Sequence, residues 1–166
     1  LGKALGTAGA IIAGSGRLRE WLLNRARPFV FTTGTPPALA AAAMEALRIV
    51  REEPWRRDRL RANARMLRNG LAALGHAAPG EADGHIVPVR TGEAERTMRI
   101  GHALRERGFL VGAVRPPTVP PGGSRLRITL TAAHTAEQVG ALLDALRTEL
   151  PAPCIRDGEE ANRAGE

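Results

Sequence analysis

The stretch from residue 85 to 150 constrains the fold most, because short runs of branched residues alternate there with stretches of helical spacing. Residues 85–90, 109–114 and 125–131 read as extended, and 93–107 as helical. Thr135 and Gln138 stand at capping-box spacing before a last helix that carries Val139, Leu142, Leu143, Leu146 and Leu150 on one face. Pro151 and Pro153 stop it. The pattern predicts an α+β domain within a chain of α/β class.

Upstream, helices dominate. Pro36 and Pro37 stand where a helix can begin, residues 38–52 are dense in strong helix formers, and Pro54 interrupts them. In the next helix Leu60, Ala64, Leu67, Leu71 and Leu74 recur at helical spacing with arginines between them, and Gly75 closes it. Trp55 and Met66 read as packing residues. Ser15 can cap a helix with Leu18, Trp21, Leu22 and Arg25, which Pro28 ends, leaving residues 29–33 extended. The first 14 residues, small and glycine-rich, predict a loop followed by a buried strand near residues 10–13. Residues 151–166 are polar and acidic, and are expected to be disordered.

The formal charge of +7 raises the question of nucleic acid. Yet the arginines of residues 51–68 alternate with Asp and Glu, and three Phe, two Trp and no Tyr leave little to stack on bases. A solvated helix face explains the charge better, with an arginine-rich nucleic-acid module as the alternative. No apolar run approaches the roughly 20 residues of a membrane helix, so a cytoplasmic protein is expected. A single cysteine, Cys154, excludes an internal disulfide framework and reads as a plain tail thiol. His76, His85 and His102 lack metal-ligand spacing, so no metal is expected, and His134 reads as structural.

Among the 24 basic residues Lys3 is the one lysine, and it sits in Leu1-Gly2-Lys3-Ala4-Leu5-Gly6. A guanidinium cannot form a Schiff base, whereas a primary amine can, and flanking glycines let the backbone turn beside a bulky ring. Thr32 and Thr33, in Phe31-Thr32-Thr33-Gly34-Thr35-Pro36-Pro37, precede a helix start. That placement suits either a phosphate site or a plain N-cap. Further on, Arg115-Pro116-Pro117-Thr118-Val119-Pro120 leads through Gly122 and Gly123 to Arg125-Leu126-Arg127-Ile128. Strand alternation puts Arg125 and Arg127 on one face, where they either grip a carboxylate or are surface arginines of an edge strand.

These segments resemble the α-oxoamine synthases, fold-type-I enzymes that depend on pyridoxal 5'-phosphate (PLP). The run Arg-Pro-Pro-Thr-Val-Pro, then Arg-Leu-Arg-Ile-Thr-Leu-Thr-Ala-Ala-His-Thr through Thr135, is similar to the branch of 8-amino-7-oxononanoate synthases. The resemblance runs from Leu1 to about Leu150 and corresponds to the C-terminal part of that family's chain. It implies that residues 1–54 are the end of a PLP-binding large domain, 55–150 a small α+β domain and 151–166 a tail. It further implies that Lys3 holds PLP, and that Thr32 or Thr33 reaches the phosphate bound by the neighbouring subunit of a homodimer. Thr118 is implied to contact substrate and Arg127 to take the amino-acid carboxylate. The implied reaction is a decarboxylating condensation of L-alanine with pimeloyl-CoA or pimeloyl-acyl-carrier protein, giving 8-amino-7-oxononanoate for biotin synthesis. Glycine C-acetyltransferase, a related synthase, is the nearest alternative.

Overall fold

A computed structural model of the chain describes residues 1–150. Cys154 and the expected disordered tail over 151–166 lie outside the described residues. Two compact units form, Leu1–Pro54 and a second that begins at Trp55. No described helix is long and apolar enough to cross a membrane.

In the first unit, α1 (Gly16–Arg25) starts where the sequence predicts: the Ser15 hydroxyl accepts the Leu18 N–H at 3.3 Å. Next comes α2 (Arg27–Val30), a single turn with Pro28 in its opening positions. Residues 29 and 30 are thus helical, correcting the extended expectation. Proline's fixed φ suits a first helical turn, and the N–H groups of Phe29 and Val30 both donate to the Ala26 carbonyl, at 2.8 and 2.9 Å. α3 (Pro37–Glu52) opens on the paired prolines, and Arg48 on its surface bonds Glu45 at 2.5 Å and also meets Glu52. The buried strand expected near residues 10–13 is not formed. Ile11 and Ile12 are 64% and 72% exposed, since a strand is held by a ladder partner and the described residues of this unit contain none.

The second unit runs α4 (Trp55–Ala73), β1 (Ile86–Gly92), α5 (Ala94–Glu106), β2 (Gly112–Val114), β3 (Ser124–Thr129) and α6 (Ala136–Glu149). Its strands form an antiparallel sheet in the order β1-β3-β2. The family of helices and one small sheet is the α/β class that the alternating texture predicts. β2 is shorter than the expected 109–114 because the Phe109 N–H is taken by the Leu104 carbonyl at 2.8 Å, which closes α5 first.

Strand alternation decides which face is buried. Val87 and Val89 of β1 and Leu126 and Ile128 of β3 point into a core shared with Leu67 and Leu71 of α4, Leu104 of α5 and Val139 and Leu146 of α6. Each fully buried leucine there contributes about 1.5–3 kcal/mol. α4 and α6 approach closely at Gly70, where an added Cβ would lie 2.4 Å from Leu143 Cδ1. The capping box of α6 forms as expected: Gln138 N–H donates to the Thr135 hydroxyl at 3.3 Å, and Thr135 N–H to Gln138 Oε1 at 3.0 Å. Trp55 corrects the packing expectation, being 48% exposed under the Arg56 guanidinium, 4.8 Å from the ring centre, whereas Met66, 37% exposed, lies against α6 with its Cε 3.7 Å from a Cβ built at Gly140.

Two polar side chains of α4 brace the loops around the sheet. Buried Asn63 donates through Nδ2 to the His134 carbonyl at 2.9 Å and the Thr131 carbonyl at 3.4 Å. Arg68 gathers the carbonyls of Ala78, Pro79, Gly84 and Ile86 at 2.9 to 3.5 Å. The loop into β1 is thereby tied to the helix before it.

Candidate active site

In the first unit, Lys3 stands on an exposed turn that Gly6 closes, its N–H donating to the Lys3 carbonyl at 3.0 Å. A residue the sequence reading missed anchors this segment: the Thr7 hydroxyl donates to the Leu39 carbonyl in the first turn of α3 at 3.1 Å. The loop with Thr32 and Thr33 leads into the same helix. Both hydroxyls are exposed, and Thr32 Oγ1 accepts the Gly34 N–H at 3.4 Å. The plain N-cap alternative is not what forms, because the N-cap of α3 is Pro36 and no side chain caps it. With no acidic residue in its first turn, the positive end of α3 keeps its attraction for an anion.

The other three candidates fall on one hairpin of the second unit. Thr118 is exposed in the loop that joins β2 to β3, its N–H donating to the Arg115 carbonyl at 3.0 Å. Arg125 and Arg127 lie on the sheet face away from the core, as alternation predicts, but their surroundings differ. Arg125 is opposite Arg90 and spends its Nε on the Gly123 carbonyl at 3.0 Å. Arg127 pairs across the sheet with Pro88 and Gly112, and no hydrogen bond or ion pair joins its side chain to another described residue. Its fork is available to a carboxylate.

A buried hydroxyl cluster, also missed from sequence, fixes the start of β3. Thr91 Oγ1 donates to the Ser124 carbonyl at 3.1 Å and lies 2.5 Å from Thr97 Oγ1, while Thr97 donates to the Glu93 carbonyl at 2.7 Å. His134 is structural: its Nδ1 accepts the Thr131 N–H at 3.1 Å.

The family model for aminotransferases of class I and II matches residues 1–146. The chain belongs to that family. Lys3, Thr32, Thr33, Thr118 and Arg127 all fall inside the stretch that matches the class I and II aminotransferases. Among curated relatives, 8-amino-7-oxononanoate synthase of Methylococcus capsulatus is 52% identical over 151 residues, covering 91% of this chain and 39% of that protein. The chain therefore spans about two fifths of the length of such relatives. Solved members of similar fold include SPT with a PLP internal aldimine, at TM-score 0.82 and 31% identity, covering 89% of this chain and 37% of the other. 8-Amino-7-oxononanoate synthase from Francisella tularensis matches at TM-score 0.78 and 26% identity, covering 89% of this chain and 43% of that one.

Proposed function

We propose that the chain is the C-terminal part of a PLP-dependent 8-amino-7-oxononanoate synthase, which condenses L-alanine with a pimeloyl thioester and releases CO2 and the carrier thiol. The observation that carries this reading is Arg127, a guanidinium with no side-chain partner among the described residues, on a chain that is 52% identical over 151 residues to such a synthase. Residues 1–54 belong on this reading to the large PLP-binding domain and 55–150 to the small domain.

The residues present suit PLP. Lys3 offers an exposed primary amine between small residues, and Thr32, Thr33 and the uncapped start of α3 offer donors for a phosphate, in a homodimer the phosphate held by the neighbouring copy. PLP, when bound, supplies the electron sink that lets alanine lose its Cα proton. Lys3 Nζ, released as a free amine, takes that proton and later returns one. Arg127 holds the alanine carboxylate in a two-point grip that fixes how the Cα–H is presented, and Thr118 contacts the substrate beside it.

A chimera that supplies the remaining length from the Methylococcus capsulatus relative tests the reading. It is expected to bind PLP with visible absorbance and to make 8-amino-7-oxononanoate from alanine rather than glycine products. Lys3→Ala should remove both the absorbance and the activity; retention of either refutes the role of Lys3. Arg127→Lys should raise KM for alanine about tenfold or more, because a point charge replaces a fork poorly. An unchanged alanine KM refutes that assignment.

A further inference from the structure

Along β2 runs a groove of about 620 Å³ whose lining includes Arg105, Arg115 and Arg127 and, among the described residues, no acidic side chain. Met98, Gly101, His102 and Arg105 reach it from one stripe of α5, at the i, i+3, i+4, i+7 spacing of a single helix face. The stripe packs tightly on the strand, since a Cβ added at Gly101 would meet Ala113 Cβ at 3.4 Å. Gly112 leaves room for the Arg127 side chain, whose Nε would lie 3.8 Å from a Cβ built there.

Two properties of this groove are unused by the alanine site. Arg105 makes no ion pair or hydrogen bond with another described residue through its side chain, whereas its neighbour Arg107 is paired with Glu149 at 2.9 Å. Glu106, one turn along α5 from His102, lies 3.5 Å from its Nδ1. The apolar lining is unusually open as well: Leu110 is 82% exposed and Met98 46%. Guanidinium and open apolar surface in one groove call for a ligand that carries an anion on a hydrocarbon chain.

We propose that this groove takes the acyl chain of the second substrate, with Leu110 and Met98 against its methylenes and Arg105 binding its distal carboxylate. The proposal rests on the synthase reading above and names a specificity residue for that reaction. It accounts for the Arg105 guanidinium in the groove that also holds Arg127: a pimeloyl thioester ends in a free carboxylate that would otherwise stay unpaired, and a site built to pair such a group rejects acyl chains that lack it.

The test is binding to the full 166-residue chain, read from the Arg105 Nε–Hε NMR signal. Monomethyl pimelate, with one free carboxylate, should shift that signal saturably, and dimethyl pimelate, with none, should not. Arg105→Gln should weaken monomethyl pimelate binding about tenfold or more, and Arg105→Lys should recover part of it. Arg107→Gln, outside the groove, should bind as the unaltered chain does. Equal responses to the two esters, or undiminished binding by Arg105→Gln, overturn the proposal. So does inorganic phosphate binding at Arg105 as tightly as the monoester, which reassigns the groove to the phosphates of the acyl carrier. Turnover does not enter this readout: a chimera that makes product while the chain ignores the monoester sinks the groove assignment alone. Binding of the monoester with no product from the chimera sinks the synthase reading instead.

Discussion

Asn63→Ala should destabilise the second unit by about 2–3 kcal/mol, although Asn63 touches none of the candidate site residues. The side chain is 4% exposed, so water does not replace it without rearrangement. Its two bonds are unequal. The Thr131 carbonyl, reached at 3.4 Å, also accepts the His134 N–H at 3.3 Å and keeps a partner after the substitution. The His134 carbonyl, reached at 2.9 Å, depends on Asn63. One part-buried carbonyl therefore loses this donor, costing about 1–3 kcal/mol, and the lost weaker bond and the vacated volume add a fraction more. For a unit of this size each kcal/mol lowers the melting midpoint by about 4–8 °C, so a fall of about 10 °C or more is expected. Hydrogen exchange at amides of α6 and β3 assigns the loss to this unit, independently of the first. A midpoint within about 2 °C of the unaltered chain refutes the reasoning, because it means that the carbonyl finds another donor at no cost.

Two further outcomes follow from the same geometry. Thr135→Ala removes the hydroxyl that accepts the Gln138 N–H and should cost about 1 kcal/mol, visible as faster exchange of the first amides of α6; unchanged protection there counts against the cap. Asp83 is held below the usual carboxylate range, chiefly by its hydrogen bond from Arg65, whose Nε lies 2.7 Å away. A depressed folded pKa gives stability that is present above the unfolded value near 3.8 and lost as pH falls through the lower folded value. Arg65→Gln should move the Asp83 titration, followed by carboxyl NMR, up toward that ordinary value. A curve that does not move removes Arg65 as the cause.

How much of this was legible in the sequence depended on whether the cause was local. Ser15 three residues before Leu18, Thr135 three before Gln138, and Pro36 and Pro37 ahead of helix formers are local signals, and α1, α6 and α3 begin where they say. The alternation of 125–128 likewise fixed which side chains of β3 enter the core. Residues 10–13 failed for the opposite reason: apolar character describes a strand, but a ladder partner makes one. The arginines of α4 all looked alike as a solvated face, yet Arg68 binds four carbonyls that lie 10 to 18 residues away. Asn63 and Thr7 act over 68 to 71 and 32 residues, distances at which no spacing pattern points to a partner.

The candidate site divides along the same line. Residue type and a glycine-flanked motif together singled out Lys3, a primary amine that can form the Schiff base an arginine cannot. Arg125 and Arg127 could not be separated that way, because both are arginines and strand periodicity puts them on one face. What separates them is a single carbonyl: Gly123, brought back by the turn to which its own N–H contributes by donating to Pro120 at 2.9 Å, occupies the Nε of Arg125. The turn thus does two things at once, reversing the chain into β3 and occupying the Nε edge of Arg125. Arg127, one pleat further along and opposite only proline and glycine, is the one of the pair whose side chain bonds no other described residue. A substitution that frees Arg125 from Gly123 would therefore offer an anion two competing guanidiniums in place of one.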